Sequence, residues 1–283
     1  MRVGRQQGAL EAATDRAHLS RNSYADSGKL RARASIYKYR RPALDIVPWA
    51  LAQVPWSGDE TVLDVGCGAG GYLRGLGKSG QMRLVGMDLS TGMLREVRDS
   101  WDSARRPLLA ACDAQSIPLR PASCDRILAM HMLYHVPDIG MTLKGLRDLL
   151  VSDGLLMAGT NGEAHLAELR DLFHEAHEEA EGRSLKAVPH WSRRFRLERG
   201  CELASATFGH VEVREHSGNI VVPDAQPVID YLESTRSVME KALSAGVDWK
   251  DVMSIAARRI GEIIEAEGAF RARTIAGVIL CRP

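Results

Sequence analysis

An α/β fold built on a doubly wound, largely parallel sheet is what the order of patterns in this chain predicts. Residues 61–66, 82–88, 107–112 and 123–130 are short apolar runs without alternation, as strands buried on both faces are. Helical spacing of apolar residues fills the gaps between them, including Thr91 to Ser103 and Asp138 to Leu150. The first run breaks into Gly66, Gly68, Gly70 and Gly71, a tight turn that lets backbone approach a ligand. Strands alternating with helices wind into layers on both faces of one sheet.

Taken in order, residues 1–42 precede this pattern. Within them Leu30, Ala34 and Tyr37 recur at helical spacing until Pro42 ends the stretch. They read as an N-terminal helical lid on a core of residues 43–283, with Arg41-Pro42 as the joint. Residues 154–160 make a fifth strand. In the segment 161–205, Leu166, Leu169, Phe173, Ala176 and Ala180 form one apolar stripe with acids opposite, an amphipathic helix. Val211-Glu-Val-Arg214 and Thr274 to Cys281 are the last two strands, and residues 223–268 between them are mostly helical. The segments 161–205 and 223–268 are therefore cap insertions.

The chain has 283 residues, 45% of them hydrophobic, which suits one large domain with a sizeable core. Its apolar runs are too short to cross a bilayer, and Met1 to Gln7 lacks a secretory stretch, so no membrane partner is expected. Five cysteines, at 67, 112, 124, 201 and 281, include no C-x-x-C pair and read as reduced thiols, with the cytoplasm as the expected location. Thirty-seven Lys and Arg balance 36 Asp and Glu, so the basic excess of a nucleic-acid-binding chain is missing. The local clusters Arg31/Arg33/Lys38/Arg40/Arg41 and Arg193/Arg194/Arg196/Arg199 read as solvated helix faces.

The glycine loop alone leaves its ligand open. Gly66, Gly68 and Gly71 satisfy the dinucleotide fingerprint, and Asp88 stands at a distance suited to a ribose. Asp64 tilts the choice, because a carboxylate at the end of the first strand opposes a pyrophosphate and suits a cationic amine.

Four stretches then follow in order: Asp64-Val-Gly66-Cys-Gly68-Ala-Gly70, Val85-Gly-Met-Asp88-Leu-Ser90, Ala111-Cys-Asp113-Ala-Gln-Ser-Ile-Pro118, and Cys124 to Asp138. In these motifs the chain resembles the class I S-adenosylmethionine-dependent methyltransferases, in the small-molecule, natural-product-tailoring branch of methyltransferase type 11. The resemblance covers residues 61–160 well and the rest weakly. It implies a Rossmann-like, seven-stranded sheet with an antiparallel last strand, S-adenosylmethionine as cofactor and S-adenosylhomocysteine as product. It assigns Asp64 and the backbone of Gly66, Gly68 and Gly70 to the methionine end, and Asp88 to the ribose hydroxyls. Asp113 would accept the adenine amine, Ala114 would give its amide to the ring, and Leu89 and Met93 would sandwich it. Tyr24 would lie over the sulfonium or the amino-acid tail, or else simply pack the lid on the core. A helical cover at the carboxyl ends of the strands implies a water-poor pocket, a small organic acceptor, and lid helices through which copies could associate. An RNA or protein methyltransferase is the alternative within the class, and a dinucleotide-dependent oxidoreductase the alternative outside it.

The stretch His131-Met-Leu-Tyr134-His135-Val-Pro-Asp138 follows the fourth strand. Enzymes of the resembling branch often carry two histidines before x-Pro-Asp, the first as general base; here that place is Tyr134. His131 would lie closest to the sulfonium and joins the cofactor set. His131, Tyr134 and His135 are the catalytic candidates, with a histidine base predicting an activity limb at about pH 6–7 and a tyrosine one at about 10. Asn161, Glu163 and His165 are a second source. His174 and His177 have helical i, i+3 spacing, but no third metal ligand is evident, so they read as a solvated face. The sequence leaves open the acceptor and whether oxygen, nitrogen or carbon is methylated.

Overall fold

The computed structural model describes residues 14–20, 28–78, 81–102, 105–185 and 191–283. Among these, β1 (Arg40–Arg41), β2 (Thr61–Val65), β3 (Arg83–Asp88), β4 (Leu108–Ala111), β5 (Cys124–Met130), β6 (Leu150–Asn161), β7 (His210–Val222) and β8 (Phe270–Arg282) form one sheet. Its order is β1-β7-β8-β6-β5-β2-β3-β4. Strands β2 to β6 are parallel, and β8 lies antiparallel between β6 and β7. This is the expected Rossmann-like arrangement with its antiparallel last strand. The count is eight instead of seven, because Arg40 and Arg41, expected in the lid, pair with Ile220 and Asn219 of β7.

The helices are α1 (Gly28–Ser35), α2 (Ile46–Leu51), α3 (Gly71–Leu76), α4 (Thr91–Asp99), α5 (Ile139–Leu149), α6 (Ala167–Glu181), α7 (Leu197–Ser205), α8 (Ala225–Ser234) and α9 (Trp249–Glu267). Side-chain caps start several of them. Ser90 accepts from the Met93 amide ahead of α4, and Asp138 from the Met141 amide ahead of α5, each satisfying a donor the helix cannot.

Two apolar clusters cover the two faces of the sheet. One joins Ile127, Leu156 and Ile279 to Leu143 and Leu146 of α5 and Leu197 and Ala204 of α7. The other joins Val62, Leu128 and Met157 to Leu73 of α3 and Val97 of α4. Helix α7, expected in the cap, is thus a core helix, because its apolar face has the sheet to pack against.

A third cluster gathers helices of the two segments expected as a cap. Leu169, Phe173 and Ala176 of α6 pack with Val228 of α8, and with Trp249, Val252 and Ile260 of α9. It is floored by Ile220, Val222, Phe270 and Ala272, the outer ends of β7 and β8. Those strands pair residue for residue from His210–Arg282 to Val222–Phe270, far beyond the four residues expected of β7. The polar run His216-Ser-Gly-Asn219 hid the strand, since its side chains need bury little while the residues beyond it carry this cluster.

The basic clusters are not simply solvated. Arg40 is 2% exposed and donates to Thr274 Oγ1, the Pro42 carbonyl and His216 Nδ1 at 3.0, 2.6 and 2.8 Å. Arg196 is 3% exposed and donates to the Glu163 carbonyl. A guanidinium offers five donors in a rigid plane, so these arginines satisfy backbone oxygens that loops leave over. His177 is also buried, and its Nε2 accepts from the Ser244 amide. Among the described residues no helix is long and apolar enough to cross a membrane, and no cluster of His, Cys, Asp and Glu could hold a metal ion.

Two glycines should respond oppositely to alanine. At Gly277 of β8 a Cβ would stand 2.7 Å from the Arg214 carbonyl and 2.8 Å from Leu197, so the substitution should destabilise by about 1–3 kcal/mol. At Gly261, exposed on α9, a Cβ meets nothing within 4 Å, and alanine should stabilise by about 0.5–1 kcal/mol. Urea midpoints at unchanged slope measure both.

Candidate active site

The site begins where β2 ends. Gly66, Gly68 and Gly70 take φ values of 68°, 52° and 77°, which turn the chain onto α3 within a few residues. Gly66 must also lack a side chain, since a Cβ would lie 2.9 Å from Met132. The amides of Gly66 and Cys67 both donate to the Met87 carbonyl, at 2.7 and 3.0 Å, tying the loop to β3.

The loop closes one wall of a cavity of about 340 Å³ at the carboxyl ends of the parallel strands. It lies where β2 separates strands that wind outward in opposite directions, the place such sheets leave a crevice. Asp64, Gly66 and Gly68 line it beside Asp88, Leu89, Met93, Asp113 and Ala114, with His131, Tyr134 and His135 lining it as well. Arg16, Leu19 and Ser20 of the N-terminal segment complete the lining. Gly70 is outside this lining and serves the turn, as the residue before α3. Tyr24 lies outside the described residues.

Asp88 is held by backbone. Its Oδ2 accepts from the Gly68 amide at 2.8 Å and its Oδ1 from the Ser90 amide at 2.7 Å, which aims the carboxylate and leaves lone pairs for further donors. Burial raises its pKa, and these amides partly offset that. Asp113 accepts from the Gln115 amide at 3.0 Å and pairs with Arg16 at 2.6 Å, so the N-terminal segment is latched to the wall that follows β4.

Asp64 differs. It is 1% exposed, and its Oδ2 has no hydrogen-bond partner among the described residues. Burial, and then the nearby charge of Asp88, push its pKa well up. The hydroxyl of Tyr72, at the start of α3, is a second buried oxygen without a partner among the described residues, and Tyr72 lines the same cavity. Burial raises that phenol first and the charge of Asp64 second. Sequence reasoning missed Tyr72, although its place directly after the glycines was a signal: the start of that helix must face the loop.

His131, directly after β5, takes φ 55°, a left-handed conformation that only its surroundings enforce, and its amide donates to the Gly159 carbonyl at 2.8 Å. Dense protein encloses the ring, while part of its surface stays open to the cavity. That burial lowers its pKa from 6.5 to about 4, so the imidazole is neutral at ordinary pH. The rings of Tyr134 and His135 meet edge to face, 4.5 Å between centroids. Arg194 fixes this turn from outside, donating to the carbonyls of Tyr134, Val136 and Pro137 at 2.9, 2.7 and 2.7 Å. The three catalytic candidates are therefore brought to one cavity. Of the second source, Asn161 ends β6, Glu163 is exposed and paired with Arg196, and His165 is buried away from the cavity lining.

Asp64→Asn should stabilise the unliganded protein. The folded state holds the Asp64 proton more tightly than the unfolded chain, whose carboxyl titrates near 3.8. Its stabilising contribution is thus complete below that value and is lost as pH rises through the raised pKa. Asparagine removes this loss, and the melting temperature at pH 7 should rise by about 2–4 °C for each kcal/mol regained, with less effect at pH 4.

The family described as "Methyltransferase domain" matches residues 63–158, the stretch from β2 into β6. A malonyl-acyl-carrier-protein O-methyltransferase of Geobacter sulfurreducens is 30% identical over 159 residues, covering 54% of this chain and 57% of that protein. Its counterpart in Legionella pneumophila is 29% identical over 42% of each chain. The chain thus spans about half the length of the curated relatives it matches. Among solved structures, phosphoethanolamine N-methyltransferase 2 of Haemonchus contortus, in complex with S-adenosylmethionine, superimposes with a TM-score of 0.55 at 20% identity, over 95% of this chain and 60% of that one. The cyclase SpnF superimposes with a TM-score of 0.53 at 12% identity, over 99% and 97%. These likenesses show a shared fold, and the cyclase shows that the fold does not dictate the reaction. The motif-bearing strands, the crevice at the switch point and the domain match all fall on the same residues, and residues 63–158 are those of an S-adenosylmethionine-dependent methyltransferase domain.

Proposed function

We propose that the protein transfers a methyl group from S-adenosylmethionine to a small organic acceptor, as a tailoring step in secondary metabolism. The observation that carries this is the pair of unpartnered buried oxygens, Asp64 Oδ2 and Tyr72 Oη, on one cavity. An amino-acid tail has an ammonium to satisfy the first and a carboxylate to satisfy the second. A pyrophosphate would be repelled by Asp64, which argues against a dinucleotide. Asp88, aimed by two amides, suits a ribose diol, and the buried Met93 beside Leu89 suits a flat base. When bound, the cofactor supplies an electrophilic methyl on a sulfonium, with a neutral leaving group.

What remains for this chain is to position the nucleophile, exclude water and accept a proton where there is one. The N-terminal residues Arg16, Leu19 and Ser20 help line the cavity, and a lined cavity of this kind supports a small acceptor over a macromolecule. His131 stands at the cavity as a neutral imidazole, but burial makes it a weak base, fit only for an acidic proton. Positioning then does most of the work, and the nucleophile is one that is already ionised or nearly so. The relatives named for O-methylation of a malonyl group support an ionised oxygen in that role.

Calorimetry with S-adenosylhomocysteine and with methylthioadenosine, which lacks the amino-acid tail, tests the cofactor reading. Tyr72→Phe should weaken S-adenosylhomocysteine about tenfold and leave methylthioadenosine unchanged, whereas Asp88→Ala should weaken both by about tenfold or more. Preference for a nicotinamide dinucleotide, or binding of neither nucleoside, would overturn it. Turnover with an acceptor found by labelled-methyl screening should be flat from about pH 5.5 to 8, because His131 loses its proton near pH 4. A limb at about 6–7 would return the histidine to an ordinary base.

A further inference from the structure

Three backbone carbonyls of the turn after β5 share one side chain. Arg194 donates to those of Tyr134, Val136 and Pro137 at 2.9, 2.7 and 2.7 Å. The turn's own amides are used locally, His135 donating to the Met132 carbonyl and Val136 to that of Leu133, and Pro137 has no amide to offer. The planar fork of a guanidinium reaches the three remaining oxygens from one place, which the point charge of a lysine would not.

Arg194 itself stands on fixed backbone. It belongs to the 3₁₀ turn Trp191–Phe195, and the residue after it, Phe195, is fully buried in the core cluster that includes Leu197 and Ile279. The Thr160 hydroxyl, on β6, donates to the Phe195 carbonyl at 2.6 Å. A cation expected on a solvated face is thus half-buried and committed to one loop.

What separates Arg194 from the other fastening arginines is which residues it serves. Arg40 and Arg196 donate to the carbonyls of Pro42 and Glu163, neither of which lines the cavity. Tyr134, Val136 and Pro137 all line it, and so does every other residue from His131 to Pro137 except Leu133, which is buried in the core. The same turn touches the glycine loop, since Met132 fills the space that a Cβ at Gly66 would need. Under the methyl-transfer reading the amino-acid tail takes Asp64 and Tyr72, the ribose takes Asp88, and the base takes Leu89 and Met93. The sulfonium sits between tail and ribose, so the wall left to face its methyl group is this turn.

We propose that Arg194 is a positioning residue for methyl transfer: by holding three carbonyls it fixes the wall that His131, Tyr134 and His135 present to the methyl group. Arg194 is itself outside the cavity lining, so it acts only through that wall. Its contribution is the geometry of its fork, which charge alone does not replace. A phenol ring and a neutral imidazole held in place favour a cationic sulfonium over a neutral sulfide. The difference in affinity between S-adenosylmethionine and S-adenosylhomocysteine therefore reads the wall directly. The proposal rests on the methyl-transfer reading.

Calorimetry with S-adenosylmethionine and S-adenosylhomocysteine tests it on wild type, on Arg194→Ala, and on Arg194→Lys, which keeps the charge and loses the fork. Both variants should bind S-adenosylhomocysteine within about twofold of wild type. The groups assigned to hold it, Asp64, Tyr72, Asp88 and Met93, stand on β2, β3 and the helices that follow them, and none is on the turn. Both variants should bind S-adenosylmethionine about threefold or more weakly. Methylguanidinium at about 20 mM should recover most of that loss in Arg194→Ala, and methylammonium at the same concentration should not. Thermal melts confirm folding, and if Arg194→Ala fails to fold, Arg194→Lys carries the comparison. Failure of the wild type to bind S-adenosylhomocysteine would sink the cofactor reading. Normal binding by the wild type, with the ratio of the two affinities unchanged in Arg194→Lys or with both ligands weakened alike, would overturn the positioning role alone.

Discussion

Strands β2 and β5 lie side by side, yet the chain leaves them in opposite directions, toward β3 and β4 on one flank and β6 on the other. Helices that cross to opposite faces cannot close over that seam, so a crevice opens at its carboxyl end. The glycine loop, the acids that end β3 and follow β4, and the turn after β5 all emerge there because the topology gives them no other exit. Loop geometry then sharpens what topology provides. Left-handed glycines hold the backbone close to the cavity, and Gly66 is small because Met132, from the opposite wall, occupies the space its side chain would need.

Within the crevice, electrostatics is arranged at some expense to stability. Asp64 is buried and Asp88 half-buried, and each has its pKa raised chiefly by its enclosure in protein. Asp88 is compensated by two amides, whereas Asp64 keeps an oxygen without a partner. A group of this kind survives in a fold when a ligand, rather than the protein, completes it. His131 shows the complementary effect, since the enclosure that strains its backbone also removes its charge. A site that keeps its imidazole neutral and its carboxylates dry is suited to a cationic cofactor and a nucleophile that needs little help losing a proton.

The helices expected as a cap form a further hydrophobic unit standing on the same sheet. Helices α6, α8 and α9 share one apolar cluster, and the outer halves of β7 and β8 continue into it, so this cluster and the sheet are joined by thirteen residues of unbroken pairing. Tyr37, from the N-terminal segment, meets His165 on the turn after β6, beside this cluster. Arginines that look like surface charge do the fastening: Arg194 on the turn after β5, Arg196 and Arg170 on the turn after β6, and Arg40 at the sheet edge.

The parallel strands, the glycine turn and the acids at 64, 88 and 113 were legible in the sequence because each is a local pattern: an apolar run, a turn, a residue at a strand end. The full length of β7 was not, since its polar middle is held by pairing with β8 and, of its side chains, only Ile220 and Val222 are buried. Nor was the core role of α7, or the burial of Arg40, Arg196 and His177, because an amphipathic helix or a basic cluster does not say which neighbour it will meet. Tyr72 and the Tyr37–His165 pair belong to the same class. The Tyr72 hydroxyl has no partner among the described residues while the Tyr37 hydroxyl meets a histidine 128 residues away, and which of the two a group finds depends on atoms far apart in the chain. The sequence by itself determined the sheet, the loop and the cofactor-type motif. Only the tertiary structure decided which polar groups the fold leaves unsatisfied, because satisfaction is a property of three-dimensional neighbours and not of chain order.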